Sequence, residues 1–307
     1  MFPHGIMFHH FRNHRHPRGQ GSMSADELAA MIDHLGRRRI LPAVEWMERL
    51  ERGRLGDEDL CLTFDDNLRC QYDVALPVLR DRGLTGFWFV STCVLEGEME
   101  HLQLHRRFCD AHFADVETFY GAFFQTLAES PYNGEVQEAL AGADVEAHLG
   151  EFSFYTNVDR RFRYVRDVIL GRDRYREIVR TMMRARCVEQ EDLAADLWMD
   201  AHCLKALHAD GHIIGLHSHT HPPRLADLDA TTQEREYRDN RQCLTRLLGE
   251  HPRSMSHPCN SYNEGTLNVL RELGVVLGFR ANMVRERAGA LECPREDHTN
   301  ILVRMRR

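Results

Sequence analysis

The amino-acid sequence predicts an α/β protein built around a mainly parallel β-sheet. Short apolar segments alternate with amphipathic segments along most of the 307 residues. This alternation is typical of a parallel sheet, either open or closed into a barrel. Two strings rich in aspartate or histidine come directly after two of the apolar segments. In such folds the functional side chains lie at the carboxyl ends of the strands, so the position of these strings supports the prediction.

Strands and helices are predicted in turn along the alternating parts of the chain. The first helix is clearly marked, because Ser24 and Glu27 form a capping box ahead of an amphipathic stretch. Gly83 marks the end of the third helix. The strands are predicted at residues 5–11, 60–64, 86–90, 213–216, in a segment leading to 257, and at 275–279. The helices are predicted at about residues 24–38, 44–52, 72–82, 197–209, 231–249 and 264–273.

Residues 97–196 interrupt this alternation, because no clear strand pattern occurs in them. They are rich in helix formers and aromatic residues, so we predict a mostly helical insertion. Residues 1–96 and 197–307 are predicted to form one core domain around it. An arginine-rich run at 160–176 is expected to be a solvated helix face, with a pocket for an anionic substrate as the alternative. No acidic cluster accompanies the insertion's histidines, and we interpret three as surface or packing residues: His101, His105 and His112.

The composition argues against several classes of protein. The 39 basic residues are dispersed and face 47 acidic ones, a net charge of 39 − 47 = −8. A basic face for nucleic acid is therefore not expected. No run of 18 apolar residues occurs, so no membrane span is expected. The first residues lack the apolar run of a secretory signal, and the nine cysteines have no Cys-x-x-Cys spacing. We expect a reduced, cytoplasmic protein.

Two short strings carry the candidate chemistry. Residues 62–67 (LTFDDN) end a strand with two adjacent carboxylates, and residues 217–222 (HSHTHP) end another with histidines spaced i, i+4. One carboxylate and two imidazoles form a ligand set suited to a catalytic zinc or similar divalent ion. The second carboxylate is then free to act as a base. This division of labour is what metal-assisted hydrolysis needs.

The strings resemble the first two motifs of the polysaccharide deacetylase family (carbohydrate esterase family 4). Residues 256–263 (SHPCNSYN) resemble its third motif region, where a strand ends in a proline-containing loop before a helix. The resemblance covers roughly residues 6–94 and 197–301 and leaves the insertion out. It implies an irregular (β/α) barrel and a metal-dependent deacetylase.

The resemblance also implies roles for individual residues. Asp65 is the general base, and Asp66, His217 and His221 bind the metal. Zinc is the expected ion, with cobalt, nickel, manganese or iron as alternatives. The backbone N–H of Cys259 is expected to donate to the developing oxyanion.

One departure from the family concerns the arginine that orients the base. The third motif often has arginine two residues before its proline, and Ser256 stands there instead. Arg295 is the nearest candidate replacement, and we expect it within hydrogen-bonding reach of the base. Asn67 also stands where the family usually has glycine; asparagine is the residue that best tolerates a positive φ there.

A second departure concerns the general acid, which the family's last motif supplies as a histidine. His298 is the expected acid here, with His257 and His219 as alternatives. His9 and His10 alternate on the first strand, so one of them can face the site, although a structural role is the favoured interpretation.

Three functions follow from this reading. The favoured one is removal of an N-acetyl group from an amino sugar, in a nucleotide sugar or glycan precursor. The second is deacylation of a non-sugar N-acyl compound or an O-acetyl ester by the same site. The third is a degenerate carbohydrate-binding member without turnover. The expected partner is an N-acetylated sugar or glycan, and no oligomeric state is predicted.

Overall fold

The computed structural model describes residues 2–150, 155–284 and 289–306. Seven short strands, all in parallel pairs, form the framework. Each predicted strand of the sequence has a counterpart among them. The strands are β1 (His4–Phe8), β2 (Leu60–Phe64), β3 (Phe87–Val90), β4 (Ile213–Leu216), β5 (Ser254–Ser256), β6 (Leu277–Phe279) and β7 (Arg295–Asp297).

Helices connect and flank these strands. The capping box predicted at Ser24 and Glu27 is present, with the Glu27 N–H donating to the Ser24 hydroxyl. The helices are α1 (Ala25–Leu35), α2 (Ala43–Glu51), α3 (Leu76–Asp81), α4 (His101–His112), α5 (Val116–Ala128), α6 (Asn133–Ala141), α7 (Asn157–Tyr164), α8 (Gly171–Ala185), α9 (Gln190–Ala194), α10 (Ala201–Ala209), α11 (Ala230–Leu248), α12 (Glu264–Glu272) and α13 (His298–Met305). None of the helices described is long and apolar enough to cross a membrane.

The strands form one sheet in the order β6-β5-β4-β3-β2-β1-β7. Its two edge strands approach each other through the segment that precedes β7. Cys293 donates its backbone N–H to the Gly278 carbonyl at 2.8 Å, and Gly5 donates to the Pro294 carbonyl at 3.0 Å. The sheet is therefore a nearly closed (β/α) barrel with flanking helices, as predicted.

Side chains that alternate along the strands fill the barrel. Cys61, Phe87, Phe89 and Phe279 are all fully buried in one apolar cluster. Aromatic rings dominate this cluster because they bury the largest apolar area for each side chain. The Arg295 guanidinium lies about 6 Å from the Phe89 and Phe279 ring centres (6.0 and 5.9 Å). The polar layer at the end of the strands thus rests directly on the aromatic core.

The chain divides into two compact units. The first comprises residues 1–16, 21–100 and 198–307 and contains the whole sheet; the second comprises residues 17–20 and 101–197. The described part of the second unit is helical, with an aromatic core. In it the Tyr120 and Phe162 rings stack at 4.3 Å, and Phe123 meets Phe162 edge-on at 5.0 Å.

β7 was not predicted from the sequence. The last predicted strand ends at residue 279, whereas Arg295 is the first residue of a further strand, β7, and pairs beside Gly5 of β1. Only three residues form this strand, and Glu296 and Asp297 carry charge. Such a segment has no apolar pattern that would mark it as a strand. Its pairing with β1 exists only in the folded sheet.

Candidate active site

Two carboxylates stand at the carboxyl end of β2, where the strand leaves the sheet. Asp65 and Asp66 are buried, although they are charged side chains. The backbone turns sharply here, with φ of 77° at Asp66 and 57° at Asn67. The Asn67 side chain and backbone are tied to Met199 by hydrogen bonds of 3.2 and 2.9 Å. These bonds hold the left-handed turn. Because of this turn, the Asp65 and Asp66 carboxylates point toward different partners.

Asp65 is held by a guanidinium and a hydroxyl. Arg295 donates from Nη1 to Asp65 Oδ1 at 2.7 Å and from Nη2 to Oδ2 at 2.8 Å. Ser256 Oγ donates to Asp65 Oδ2 at 3.1 Å and accepts from Arg295 Nη2 at 3.0 Å. The structure thus places Arg295 where the sequence analysis expected it. Ser256 leaves room for a guanidinium that arrives from β7 instead of β5.

Arg295 is itself fixed in place. It is only 1% exposed, and its Nε donates to the Arg280 carbonyl at 2.6 Å. Burial would raise the pKa of the Asp65 carboxyl, but the Arg295 charge and then His217 outweigh it and lower that pKa. Asp65 is therefore a carboxylate at neutral pH, with fixed orientation.

Asp66 faces two imidazoles. Its Oδ1 lies 3.2 Å from His217 Nε2 and 3.3 Å from His221 Nε2, and the three potential ligand atoms lie within 4.8 Å of one another. Among the described residues, Asp66, His217 and His221 form the group of potential metal ligands whose donor atoms lie this close together. One carboxylate oxygen and two imidazole nitrogens form a donor set that suits zinc and similar ions and leaves positions open.

The far side of each imidazole supports this interpretation. His217 Nδ1 lies 2.9 Å from the Ser256 carbonyl. Because a carbonyl only accepts, Nδ1 carries a hydrogen, and Nε2, which faces Asp66, is the nitrogen that the neutral imidazole offers to a metal. His221 Nδ1 has no hydrogen-bond partner in the described structure, and Glu100 Oε1 lies 3.9 Å from it. The residues present therefore fit a divalent ion.

Helix α11 holds the loop that carries these histidines. The Asn240 side-chain oxygen accepts from the His217 N–H at 3.0 Å, and its amide donates to the Val90 carbonyl at 2.9 Å. Four residues earlier, Glu236 accepts from the N–H groups of His219 and Thr220 at 3.0 and 2.8 Å. These bonds satisfy buried backbone groups that the turn would otherwise leave unpaired. Glu236 and Asn240 were not predicted as site residues, because nothing in the sequence of a helix shows which loop the helix supports.

The charges of the cluster are coupled. Burial would raise the pKa of Asp66, but its bond to His217 and the charge of His221 hold it well below its usual range. Burial would lower the pKa of His217, but the Asp65 and Asp66 charges raise it. Burial dominates at His221 and lowers its pKa to about 4. A carboxylate and a neutral imidazole are the forms in which these groups bind metal.

A third histidine, His9, also faces the carboxylates. Its Nε2 lies 3.8 Å from Asp65 Oδ2 and 3.9 Å from Asp66 Oδ2, and its side chain is 30% exposed. The sequence analysis favoured a structural role for His9 and His10. A signal was present, because β1 ends directly before His9 and strand ends form the site in this class of fold.

His298 is not placed to act as the general acid, which corrects the sequence analysis. Its Nδ1 lies 3.2 Å from the Met7 carbonyl and its Nε2 lies 2.8 Å from the Gly21 carbonyl. The ring also stacks on Phe8 with centroids 5.5 Å apart. Backbone groups occupy both nitrogens, so neither can reach a leaving group. His298 begins α13 and joins that helix to β1.

The two alternative histidines are also engaged elsewhere. His257 Nε2 lies 2.9 Å from the Leu291 carbonyl, and burial lowers the pKa of this imidazole to about 3. His219 Nδ1 lies 3.0 Å from Thr92 Oγ1. Cys259 has an exposed side chain and a φ of 50° in the turn after β5. The role of the Cys259 N–H as an oxyanion donor stays a prediction.

Comparison with known proteins agrees with this geometry. The sequence pattern of the family described as "Polysaccharide deacetylase" matches residues 176–278. That range contains His217, His221 and Ser256 and lies outside the Asp65–Asp66 string. Comparison with curated proteins found no match.

Several solved structures share the fold. The deacetylase PplD of Streptococcus pyogenes, in complex with acetate, is 15% identical with a TM-score of 0.57, over 98% of this chain and 96% of that chain. IcaB of Ammonifex degensii is 16% identical with a TM-score of 0.58, over 96% and 91%. A de-N-acetylase of Aggregatibacter actinomycetemcomitans is 11% identical with a TM-score of 0.55, over 95% and 93%. Such identities establish the shared fold, and the family pattern falls on the segment that carries the histidine string. The chain therefore shares the fold of these deacetylases, and its residues 176–278 match the polysaccharide deacetylase pattern.

Proposed function

We propose that the protein is a metal-dependent hydrolase that removes the N-acetyl group of an amino sugar, in a nucleotide sugar or glycan precursor. One observation carries the proposal: the Asp65–Arg295 pair stands beside the convergent cluster of Asp66, His217 and His221. A fixed carboxylate next to a metal-ligand set is what hydrolysis of an amide needs. The similarity to a de-N-acetylase also supports cleavage of a nitrogen-linked acetyl group.

Asp66, His217 and His221 would hold the divalent ion, and zinc is the expected one. When bound, the ion supplies Lewis-acid polarisation of the acyl carbonyl and lowers the pKa of water. The Ser256 carbonyl keeps His217 in the tautomer whose Nε2 is a ligand. The protein's own contribution is thus a buried set of donors held within 4.8 Å of one another.

Asp65 is the general base in this proposal. It accepts the proton of the attacking water, while Arg295 and Ser256 keep its oxygens in one orientation. Because Arg295 lowers the pKa of Asp65, the residue is ionised throughout the neutral range. The Cys259 N–H remains the proposed donor to the negative oxygen that forms at the acyl carbon.

His9 takes the place of His298 as the proposed general acid. An amine is a poor leaving group until its nitrogen is protonated. His9 is partly exposed and near both carboxylates, so a substrate nitrogen can approach it. Its proton passes to the leaving nitrogen, and acetate and the free amine are released.

The test measures acetate release by the purified protein supplied with zinc. Four substrates are compared: an N-acetylated oligosaccharide, a nucleotide N-acetyl sugar, a non-sugar N-acetyl compound and an O-acetyl ester. Asp65→Asn is the control variant, because it removes the base and leaves the metal ligands unchanged. We expect turnover of an amino sugar, which Asp65→Asn lowers about 100-fold or more with metal content retained.

Three outcomes would contradict the proposal. Turnover of only the ester or the non-sugar compound would identify a deacylase of another class. Saturable sugar binding without turnover would identify a carbohydrate-binding member. Wild-type activity in Asp65→Asn would remove Asp65 as the base.

A further inference from the structure

A second pair of histidines with i, i+4 spacing lies in the helical unit. His101 and His105 are on α4 and are 9% and 1% exposed. Their ring centres are 5.9 Å apart, and the Tyr175 ring meets His105 edge-on at 5.0 Å. Neither residue belongs to the catalytic cluster, and the proposed reaction does not use them.

Three ring nitrogens of this pair lack a hydrogen bond. Both nitrogens of His105 and the Nδ1 of His101 are buried without a partner among residues 2–150, 155–284 and 289–306. The great majority of buried polar side-chain atoms have a partner. Two adjacent imidazoles with this deficit therefore indicate a polar group that the chain itself does not provide.

Three arginines of α8 have no carboxylate partner among the described residues. Arg172, Arg176 and Arg180 are spaced by four residues, so they share one face of the helix over about 12 Å. None of the three is within ion-pair distance of an acidic group in the part of the chain that the structure describes. By contrast, Arg174 on the same helix pairs with Glu135 at 2.7 Å.

The positive charges of the α8 arginines affect both histidines of α4. Burial is the main reason that the pKa of His101 is lowered to about 4. The charges of Arg176, Arg172 and Arg180 lower it further, in that order, and Asp173 opposes them with a smaller effect. Burial is also the main reason that the pKa of His105 is lowered. The charges of His101 and of nearby arginines, among them Arg176 and Arg180, lower it further. The positive potential of α8 thus reaches both imidazoles.

This electrostatic setting selects the charge of the ligand. Two histidines at i, i+4 would otherwise suit a metal ion, but three guanidinium groups that have no partner among the described carboxylates repel a cation. Neutral imidazoles donate one N–H each, and guanidinium groups bind phosphate oxygens in a bidentate manner. A single carboxylate is too small to contact three arginines that extend over two helical turns. A phosphate ligand with two or more negative charges can contact more than one of them.

We propose that the α4–α8 face, defined by His101, His105, Arg172, Arg176 and Arg180, is a binding site for a phosphate ester with at least two negative charges. The arginines hold the phosphate oxygens at the surface, and His101, the less buried of the two histidines, donates a hydrogen bond to them. A nucleoside diphosphate and a phosphodiester-linked polymer both have this chemistry. The inference does not depend on catalytic turnover.

The experiment is isothermal titration of the full-length protein with pyrophosphate at low salt. We expect saturable binding that weakens as salt increases, because the attraction is electrostatic. Arg176→Gln and Arg180→Gln should each weaken binding about tenfold, the scale of losing one charge-assisted hydrogen bond. Arg174→Gln is the matched control, since it removes the same charge from the same helix and should leave the affinity unchanged.

Two further arms separate the site from its alternatives. The variant His217→Ala/His221→Ala should bind pyrophosphate like the wild type, which excludes binding to a metal at the catalytic cluster. Tighter binding of uridine diphosphate than of pyrophosphate would identify a nucleotide ligand, and tighter binding of a glycerol phosphate oligomer would identify a polymer. The proposal is overturned by absent saturable binding, by equal losses in Arg174→Gln and Arg176→Gln, or by loss of binding in the catalytic double variant.

Discussion

The protein contains two buried histidine pairs with the same i, i+4 spacing and opposite surroundings. His217 and His221 follow a strand and share the carboxylate of Asp66 at 3.2 and 3.3 Å. His101 and His105 lie within a helix, where Arg176 and its neighbours surround them with positive charge. The first pair has a charge that attracts a cation, and the second has charges that repel one.

Histidine spacing alone therefore does not specify a metal site. Both pairs bring two imidazoles onto one side of the backbone. The carboxylate decides, because it contributes the negative charge that offsets the cost of removing a cation's water. Without it, the same imidazoles become hydrogen-bond donors for an anion.

The largest effect concerns metal content. His217→Ala/His221→Ala should lose essentially all of the roughly one equivalent of zinc expected per chain, since two of three ligands are gone. His101→Gln/His105→Gln should keep it. Elemental analysis after dialysis against zinc measures both variants. Equal metal loss in the two variants would break the comparison, because it would mean that the second pair also binds a cation.

The next effect concerns arginine partners. Arg295→Met should lower the free energy of unfolding by about 3–5 kcal/mol, because it leaves the buried Asp65 carboxylate without its positively charged partner. Arg176→Met should cost no more than about 1 kcal/mol, since no described carboxylate depends on it. Urea unfolding of the metal-free protein measures both. Restored stability in the double variant Arg295→Met/Asp65→Leu would confirm that the unpaired charge is the cause, and an equal cost for the two single variants would contradict it.

A third effect concerns the general acid. His9→Ala should lower turnover of the amide substrate about 100-fold, whereas an ester with a good leaving group should lose much less, because its departure needs less protonation. His10→Ala is the neighbouring control and should retain activity on both. Equal loss on amide and ester in His9→Ala would show that His9 positions the site and does not donate the proton.

The smallest effect is a pH dependence of stability in the helical unit. The pKa of His101 is lowered to about 4 by burial and by nearby arginines, while an unfolded histidine titrates near about 6.5. The unfolded chain therefore binds more protons between these values, and stability falls as the pH falls through that window. His101→Gln should remove a slope of up to about 1.4 kcal/mol per pH unit.

The measurement is urea unfolding of the wild type and of His101→Gln at about pH 7, 6 and 5, a range that covers the titration of an unfolded histidine. A slope that is the same in both proteins would mean that His101 titrates normally. In that case the arginines of α8 do not reach it, and the contrast between the two pairs would lose its electrostatic basis.

Much of the barrel could be predicted from the sequence. The buried strands have continuous apolar stretches, such as Leu60–Phe64, and helices with capping boxes and apolar faces separate them. The strings at residues 62–67 and 217–222 could be placed at strand ends, and there the structure brings them together. These features are local, so a single segment contains all the information that specifies them.

Local sequence patterns therefore specify the order of strands and helices and place two carboxylates and two histidines at the ends of strands. Which of these groups meet depends on contacts between distant segments of the chain. Arg295 reaches Asp65 across 230 positions of sequence, His9 faces the carboxylates, and His298 is held by backbone carbonyls. These contacts depend on the pairing of β7 with β1 and of β1 with β2. Strand pairing is a long-range interaction, and no residue pattern within either strand specifies its neighbour.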